Sequence, residues 1–316
     1  MKLAHRFLSY LTLSVLVAGF AHARIEREFS ETFSVKAGGD LVISTQGGDI
    51  EVQRGADDAV TVVARVVFPR ATSESEADEL MEEIELVIEE SAEGVIATSK
   101  RPKKSSSWFN WGGSNRVAVH FSVTVPEEYH VDTRTSGGDI EISDLTGEVV
   151  ARTSGGDIEV GHINGPVDLN TSGGDIEIRH AVGEVKAHTS GGNVRVEDAE
   201  GSVNAGTSGG NIYIGRVIGH LKASTSGGNV SARLQGPLLE DAVLSTSGGE
   251  VTAWVDEDIG FHLDARTSGG GVKADGITIK IESGGAGKSR LVGDVNGGGP
   301  TLKLRSSGGN VKIRTS

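Results

Sequence analysis

The sequence predicts an all-β chain wound as a parallel β-solenoid, or β-helix, of about ten coils with an 18- to 21-residue repeat and an N-terminal capping insert containing a short helix. Three observations carry that prediction. The motif TSGGDIEI at Thr135 returns at Thr153, Thr171, Thr189, Thr207 and Thr225 every 18 residues, then after 21 at Thr246 and Thr267, and a last copy starts at Ser306. Self-similarity at a short fixed period marks a repeat architecture. Within a unit, apolar and polar residues alternate in two short runs, as in Val149 and Ala151, then Ile158 and Val160. Such a unit holds two half-buried strands and too little apolar surface to fold alone, so it must stack. Because the period does not slip, coils about 4.8 Å apart place like on like. Val149, Val167, Val185, Val203 and Leu221 then form one inward column, Ile158, Ile176, Val194, Ile212 and Val230 another, and Thr135 to Thr267 a hydroxyl ladder. A competing arrangement makes each Gly-Gly a hairpin turn of an antiparallel meander or barrel, which gives no reason for identical residues at every level. The Ser-Gly-Gly and the Gly that opens each unit are expected corners with φ > 0.

In chain order, residues 1–23 read as a secretory signal peptide. Lys2 and Arg6 precede the apolar run 7–20, and Ala21-His22-Ala23 forms an A-x-A cleavage site before Arg24. The chain has no cysteine, hence neither disulfides nor a lipid-acceptor Cys after the signal. Soluble export follows, with the periplasm as the expected location and secretion or cell-surface attachment as alternatives.

Residues 24–130 are expected to hold the first coil and a β-rich capping insert. Leu41, Ile43, Thr45, Gly47, Gly48, Asp49, Ile50 and Val52 fill the slots of one repeat, which is then interrupted. The interruption reads as a strand over 60–68, a helix from Glu74 to about Glu83, strands over 84–88 and 95–98, and another over 116–125. Thr72 or Ser73 can cap the helix, whose first turn is acidic as the dipole prefers. Solenoids need atypical terminal units to shield an open core, so the insert is expected to be a cap. Inside it, KRPKKSSSWFNWGGSN places Lys103 and Lys104 beside Trp108, Phe109 and Trp111. In an acidic protein such a tract suits an anionic membrane surface or a partner's pocket; alternatively the aromatics plug the end of the coil while the lysines stay solvated.

Residues 131–316 hold the solenoid repeats. Gly236 and Pro237 loosen the pattern, and 275–300, with Ser283-Gly284-Gly285 and Gly297-Gly298-Gly299, is expected to form one degenerate coil with long corners. Lys303, Arg305, Lys312 and Arg314 are expected on a final exposed strand, where alternating cations resist edge-to-edge addition.

The reiterated [TS]-S-G-G-[DN]-[IV]-x-[VI], the approach Val123, Val125, Pro126 and Val131, and the export signal together resemble the bacterial putative-adhesin family of β-strand-repeat domains of unknown function. The resemblance implies an exported β-solenoid without known catalytic residues.

Two outward columns are candidates for metal chemistry. Asp139, Asp157 and Asp175 stack beside Glu141, Glu159 and Glu177, a carboxylate grid that a Ca²⁺ ion would relieve. The same slot becomes Asn193, Asn211 and Asn229 in later coils, which favours a turn role instead, because an amide serves a turn but adds no charge. Asp144, His162, His180, Asp198 and Arg216 form a second column able to ligate Zn²⁺ or Ni²⁺ or to remain a solvated corner. No nucleophile–base constellation, nucleophile elbow or phosphate loop is present, so no catalytic residues, enzyme activity or cofactor are expected. A net charge of −14 together with export disfavours nucleic acid. The expected function is a non-catalytic exported binding or adhesion scaffold of the bacterial envelope, a monomer or small homo-oligomer whose partner is a protein, a glycan or an envelope surface, with peripheral membrane contact as one option. The alternatives are an envelope-associated regulatory or stress protein docking on a membrane partner and, further off, a carbohydrate-active β-helix enzyme.

Overall fold

A computed structural model describes residues 24–101 and 117–316; residues 1–23 and 102–116 lie outside the described residues. Among the described residues the strands gather into two sheets of 14 strands each. Successive strands of the repeat region alternate between the sheets, and each pairs in parallel with its equivalent one coil away. Val149–Arg152 lies beside Val167–Asn170 with Val149 opposite Val167, while in the other sheet Ile158–Asn164 lies beside Ile176–Val182 with Ile158 opposite Ile176. One register step is therefore 18 residues of chain, which rules out the hairpin reading of the Gly-Gly corners. The inward columns are as the alternation demands: Val149 to Leu221 and Ile158 to Val230 are at most 1% exposed. These β-branched rows face one another across the coil, and each fully buried Val or Ile contributes about 1.5–3 kcal/mol of transfer free energy.

The TSGG corner is built by two hydrogen-bond ladders. Each Thr is buried, and its hydroxyl donates to the carbonyl of the second corner glycine one coil back: Thr153 to Gly138 at 2.9 Å, Thr171 to Gly156 at 2.9 Å, Thr189 to Gly174 at 2.8 Å. The same hydroxyl accepts from the amide of its own second glycine, as Gly156 N donates to Thr153 Oγ1 at 3.3 Å. Next in the corner, the Asp or Asn side chain accepts from the backbone amide of its successor in the following coil. Asp157 N donates to Asp139 Oδ1 at 2.8 Å, Asn193 N to Asp175 Oδ1 at 2.6 Å and Asn229 N to Asn211 Oδ1 at 2.8 Å. Both residue types offer the same carbonyl-like oxygen, so the slot interchanges freely.

The expectation of φ > 0 holds for only one of the two corners. Gly147, Gly183 and Gly219, which open their units, have φ of 150°, 136° and 142°, whereas apart from Gly48 no glycine of a TSGG-type corner is in that region. The corner glycines answer to crowding instead. A Cβ on Gly156 would lie 2.1 Å from the Gly138 carbonyl oxygen, and one on Gly174 would lie 2.0 Å from that of Gly156.

At the N-terminal end, Ala118–Val125 pairs antiparallel with Ala59–Phe68, which pairs antiparallel with Ile25–Ser34. Helix Glu74–Met81 starts at Ser73, whose Oγ accepts from Glu76 N at 3.2 Å, and it buries Ala77 and Leu80. The strand Ile25–Ser34 has no counterpart in the repeat pattern, yet Ile25, Phe29 and Phe33 pack on the core.

Both ends are interlocked. The first coil in sequence, 39–54, is not outermost: Gly39–Ser44 lies between Gly94–Lys100 and Tyr129–Arg134, and Ile50–Arg54 lies between Ala118–Val125 and Ile140–Ile142. The last coil in sequence behaves likewise. Thr301–Ser306 lies between Ala242–Thr246 and Phe261–Thr267, and Val311–Thr315 lies between Val251–Val255 and Val272–Asp275. This corrects the expectation of a final exposed cationic strand. Arg305 is paired with Asp264, Lys312 with Glu250 at 2.7 Å and Arg314 with Asp275 at 3.2 Å, inside the stack. Nor is 275–300 a degenerate coil: Ile279–Gly284 and Arg290–Val295 form an antiparallel hairpin on Phe261–Thr267. The hairpin occupies the outer edge of one sheet only, which leaves the next level for the returning chain.

Candidate binding face

The outward face of the sheet that contains Ile158–Asn164 carries two columns of side chains along the whole stack. From the N-terminal end, the first reads Ser122, Glu51, Glu141, Glu159, Glu177, Arg195, Tyr213, Ser231, Thr252, Lys312 and Lys273. The face is thus acidic at one end and basic at the other.

At the acidic end, the aspartates Asp139, Asp157 and Asp175 each spend Oδ1 on a backbone amide of the next coil. The glutamates are drawn towards arginines, with Glu159 held by Arg179 and Glu177 lying 3.6 Å from Arg195. No three of these six carboxylates bring ligand oxygens within 4.8 Å of one another.

At the basic end, the Arg195 guanidinium lies 4.6 Å from the centre of the Tyr213 ring, and Tyr213 is 39% exposed. Two levels further on, the half-buried Trp254 stands between Arg233 and Arg314 on the neighbouring strands, beside the Lys312 and Lys273 column. Arg233 and Lys273 are exposed and form no ion pair among the described residues, while Lys312 and Arg314 share theirs with Glu250 and Asp275. Burial raises the Glu250 carboxyl, but the bonds from Lys312 and Thr252 outweigh it and leave it below the usual carboxylate range. The ion pair with Glu250 holds the Lys312 side chain at the face. Guanidinium planes next to aromatic rings suit a ligand with flat apolar faces and bidentate anionic groups.

The second candidate column runs along the corner of the same sheet. His162 lies opposite His180, and His180 opposite Asp198, which lies opposite Arg216. Its members are spent on one another: His162 N donates to Asp144 Oδ1 at 2.7 Å, His180 Nδ1 is 3.1 Å from Asp198, and Arg216 Nε donates to Asp198 at 2.6 Å. Arg216 above all, helped by His180, holds the Asp198 carboxyl below its ordinary value against the opposing effect of burial.

Lys103, Lys104, Trp108, Phe109 and Trp111 lie outside the described residues. The residues that flank them are joined, with Arg101 Nη2 donating to the Val117 carbonyl at 3.0 Å.

Trp254 and its neighbours are absent from the candidates that the sequence suggests. Aligning TSGGEVTAWV on TSGGNVSARL puts Trp254 over Arg233, so that half of the patch was available. Arg314 was not, because its coil is distant in sequence and adjacent only through the interlock.

Known proteins place this architecture. The family model described as Toastrack DUF4097 matches residues 39–314. The chain belongs to the Toastrack DUF4097 family. The matched span runs from the interlocked first coil to the interlocked last one. Several solved structures are similar to this Toastrack chain. One, from Bacteroides fragilis and described as a putative adhesin, is 11% identical with a TM-score of 0.38, over 92% of this chain and 97% of that one. Another putative adhesin, from Parabacteroides merdae, is 9% identical with a TM-score of 0.43, over 92% and 96%. A structure from Parabacteroides distasonis described as a putative lipid binding protein is 13% identical with a TM-score of 0.41, over 92% and 96%. No curated protein matches the Toastrack chain. No helix among the described residues is long and apolar enough to cross a membrane.

Proposed function

We propose that this Toastrack protein is an exported, non-catalytic binding scaffold whose ligand is an anionic glycan lying along the basic end of the polarised face. The observation that carries the reading is the Trp254 level, where one indole stands between two arginines on adjacent strands, with Tyr213 two levels away and Arg195 three. Sugar rings present apolar faces to aromatic side chains, and carboxylate or sulfate groups pair with guanidinium and ammonium. Parallel strands repeat such contacts at a spacing of about 4.8 Å, so weak contacts add along a polymer. The residue type in each slot changes from level to level, which suits a surface of contacts better than a catalytic constellation. Export rests on the signal-like residues 1–23.

Affinity electrophoresis in gels containing polygalacturonate or neutral dextran tests the reading. Retardation is expected in polygalacturonate only, falling as salt is raised. Trp254→Ala and Arg233→Glu are each expected to weaken it about tenfold, the size of one lost well-placed contact, and Glu141→Gln at the acidic end to leave it unchanged. Equal retardation in both polymers, or none that either basic-end variant alters, would sink the proposal.

A further inference from the structure

The other sheet ends in three antiparallel neighbours, Phe261–Thr267, Arg290–Val295 and Ile279–Gly284. His262 stands opposite Asp294, with its Nδ1 2.8 Å from Asp294 Oδ1. The pairing of the third strand slips between Ile281 and Ser283, so Glu282 is the extra residue of a bulge with no partner across the ladder. Bulges re-aim side chains at the rims of sheets. Here the bulged glutamate joins the pair, and His262, Glu282 and Asp294 each offer a ligand atom within 4.8 Å of the other two.

The charge balance sets this cluster apart from the ion pairs around it. Asp264 is held by Arg266 and Arg305, Glu250 by Lys312 and Asp198 by Arg216. Glu282 has no ion pair or hydrogen bond among the described residues, and Lys280, opposite Asp294 in the register, pairs with no carboxylate there. Two carboxylates therefore share one imidazole, without the cation that the chain supplies elsewhere.

We propose that His262, Glu282 and Asp294 bind a divalent transition-metal ion of the zinc type. One imidazole nitrogen with two carboxylate oxygens suits such an ion better than Ca²⁺ or Mg²⁺, which take oxygen ligands. Three protein ligands leave the remaining position to water. The ligands come from three adjacent strands, so the ion ties the terminal hairpin to the coil beneath it and closes an edge that would otherwise fray. The site lies on the sheet opposite the glycan face and stands or falls apart from it.

Isothermal titration of the purified, untagged protein with ZnCl₂, and separately with CaCl₂, tests this. One saturable zinc site per chain is expected, lost in His262→Ala, weakened tenfold or more in Glu282→Gln, and unchanged in His162→Ala. Glu282 is exposed, so its variant keeps the fold. A second readout is hydrogen exchange over 279–295, expected to slow on zinc addition in the parent and not in Glu282→Gln. Absence of saturable zinc binding, zinc binding indifferent to both His262 and Glu282 substitutions, or calcium binding as tight as zinc would each overturn the assignment.

Discussion

A single hydroxyl decides whether each corner closes. Thr171 is 2% exposed, donates to the Gly156 carbonyl at 2.9 Å and accepts from Gly174 N at 3.4 Å. Valine has nearly the same shape and keeps the apolar contacts, but it would leave a buried carbonyl and a half-buried amide without this partner. We expect Thr171→Val to cost about 1–3 kcal/mol in urea unfolding, and Thr171→Ser to cost less. The chain itself runs the second experiment, since Ser306 occupies the same slot and donates to the Gly249 carbonyl at 2.7 Å. A larger cost for Ser than for Val would mean that the methyl, not the hydroxyl, carries the corner. At the same scale the Asp-to-Asn change along the corner is explained by an amide–carboxylate interchange at one acceptor, with no cation needed.

At the scale of the corner, the two adjacent glycines differ in kind. A Cβ on Gly155 would meet its nearest atom at 3.7 Å, an ordinary contact, whereas one on Gly156 would lie 2.1 Å from the Gly138 carbonyl oxygen. Gly155→Ala is therefore expected to change stability by no more than about 0.5 kcal/mol, and Gly156→Ala to cost about 2 kcal/mol or more, as thermal or urea unfolding would read. Similar costs at both positions would show that backbone freedom, not crowding, selects the second glycine. The distinction was hidden in the motif, because S-G-G reads as a turn whichever reason applies. Only the coil one level away, whose carbonyl crowds Gly156 and not Gly155, separates the two.

At the scale of the whole molecule the interlock sets the order of stability. In a simple solenoid the last coil in sequence is the outermost and frays first, because it has one neighbour. Here Val311–Thr315 has neighbours on both sides, whereas Val272–Asp275 and Ile279–Gly284 form the outer edges. Native-state hydrogen exchange should find the amides of 302–314 protected like those of 194–214, and those of 272–284 faster. Protection that falls steadily towards Ser316 would contradict the interlock. The outer edges are blunted by charge, with Lys273 and Asp275 on one and Lys280 and Glu282 on the other, which discourages open-ended addition of further strands.

The sequence by itself determined the inward rows, the Thr ladder, the cap helix with its Ser73 start and the parallel 18-residue step, since each depends on residues at fixed spacing within a unit or between consecutive units. The tertiary structure alone decided which coil neighbours which at the two ends. Every unit presents the same rows and corner, so each can stack on any other with nearly the same pairing free energy, and local pattern cannot rank the choices. The connecting segments rank them: the hairpin 279–295 takes one edge and sends the last coil inward, and the insert after Arg54 does the same for the first. Trp254 between Arg233 and Arg314, and Glu282 beside His262 and Asp294, are products of that ordering, which is why neither grouping was visible along the chain.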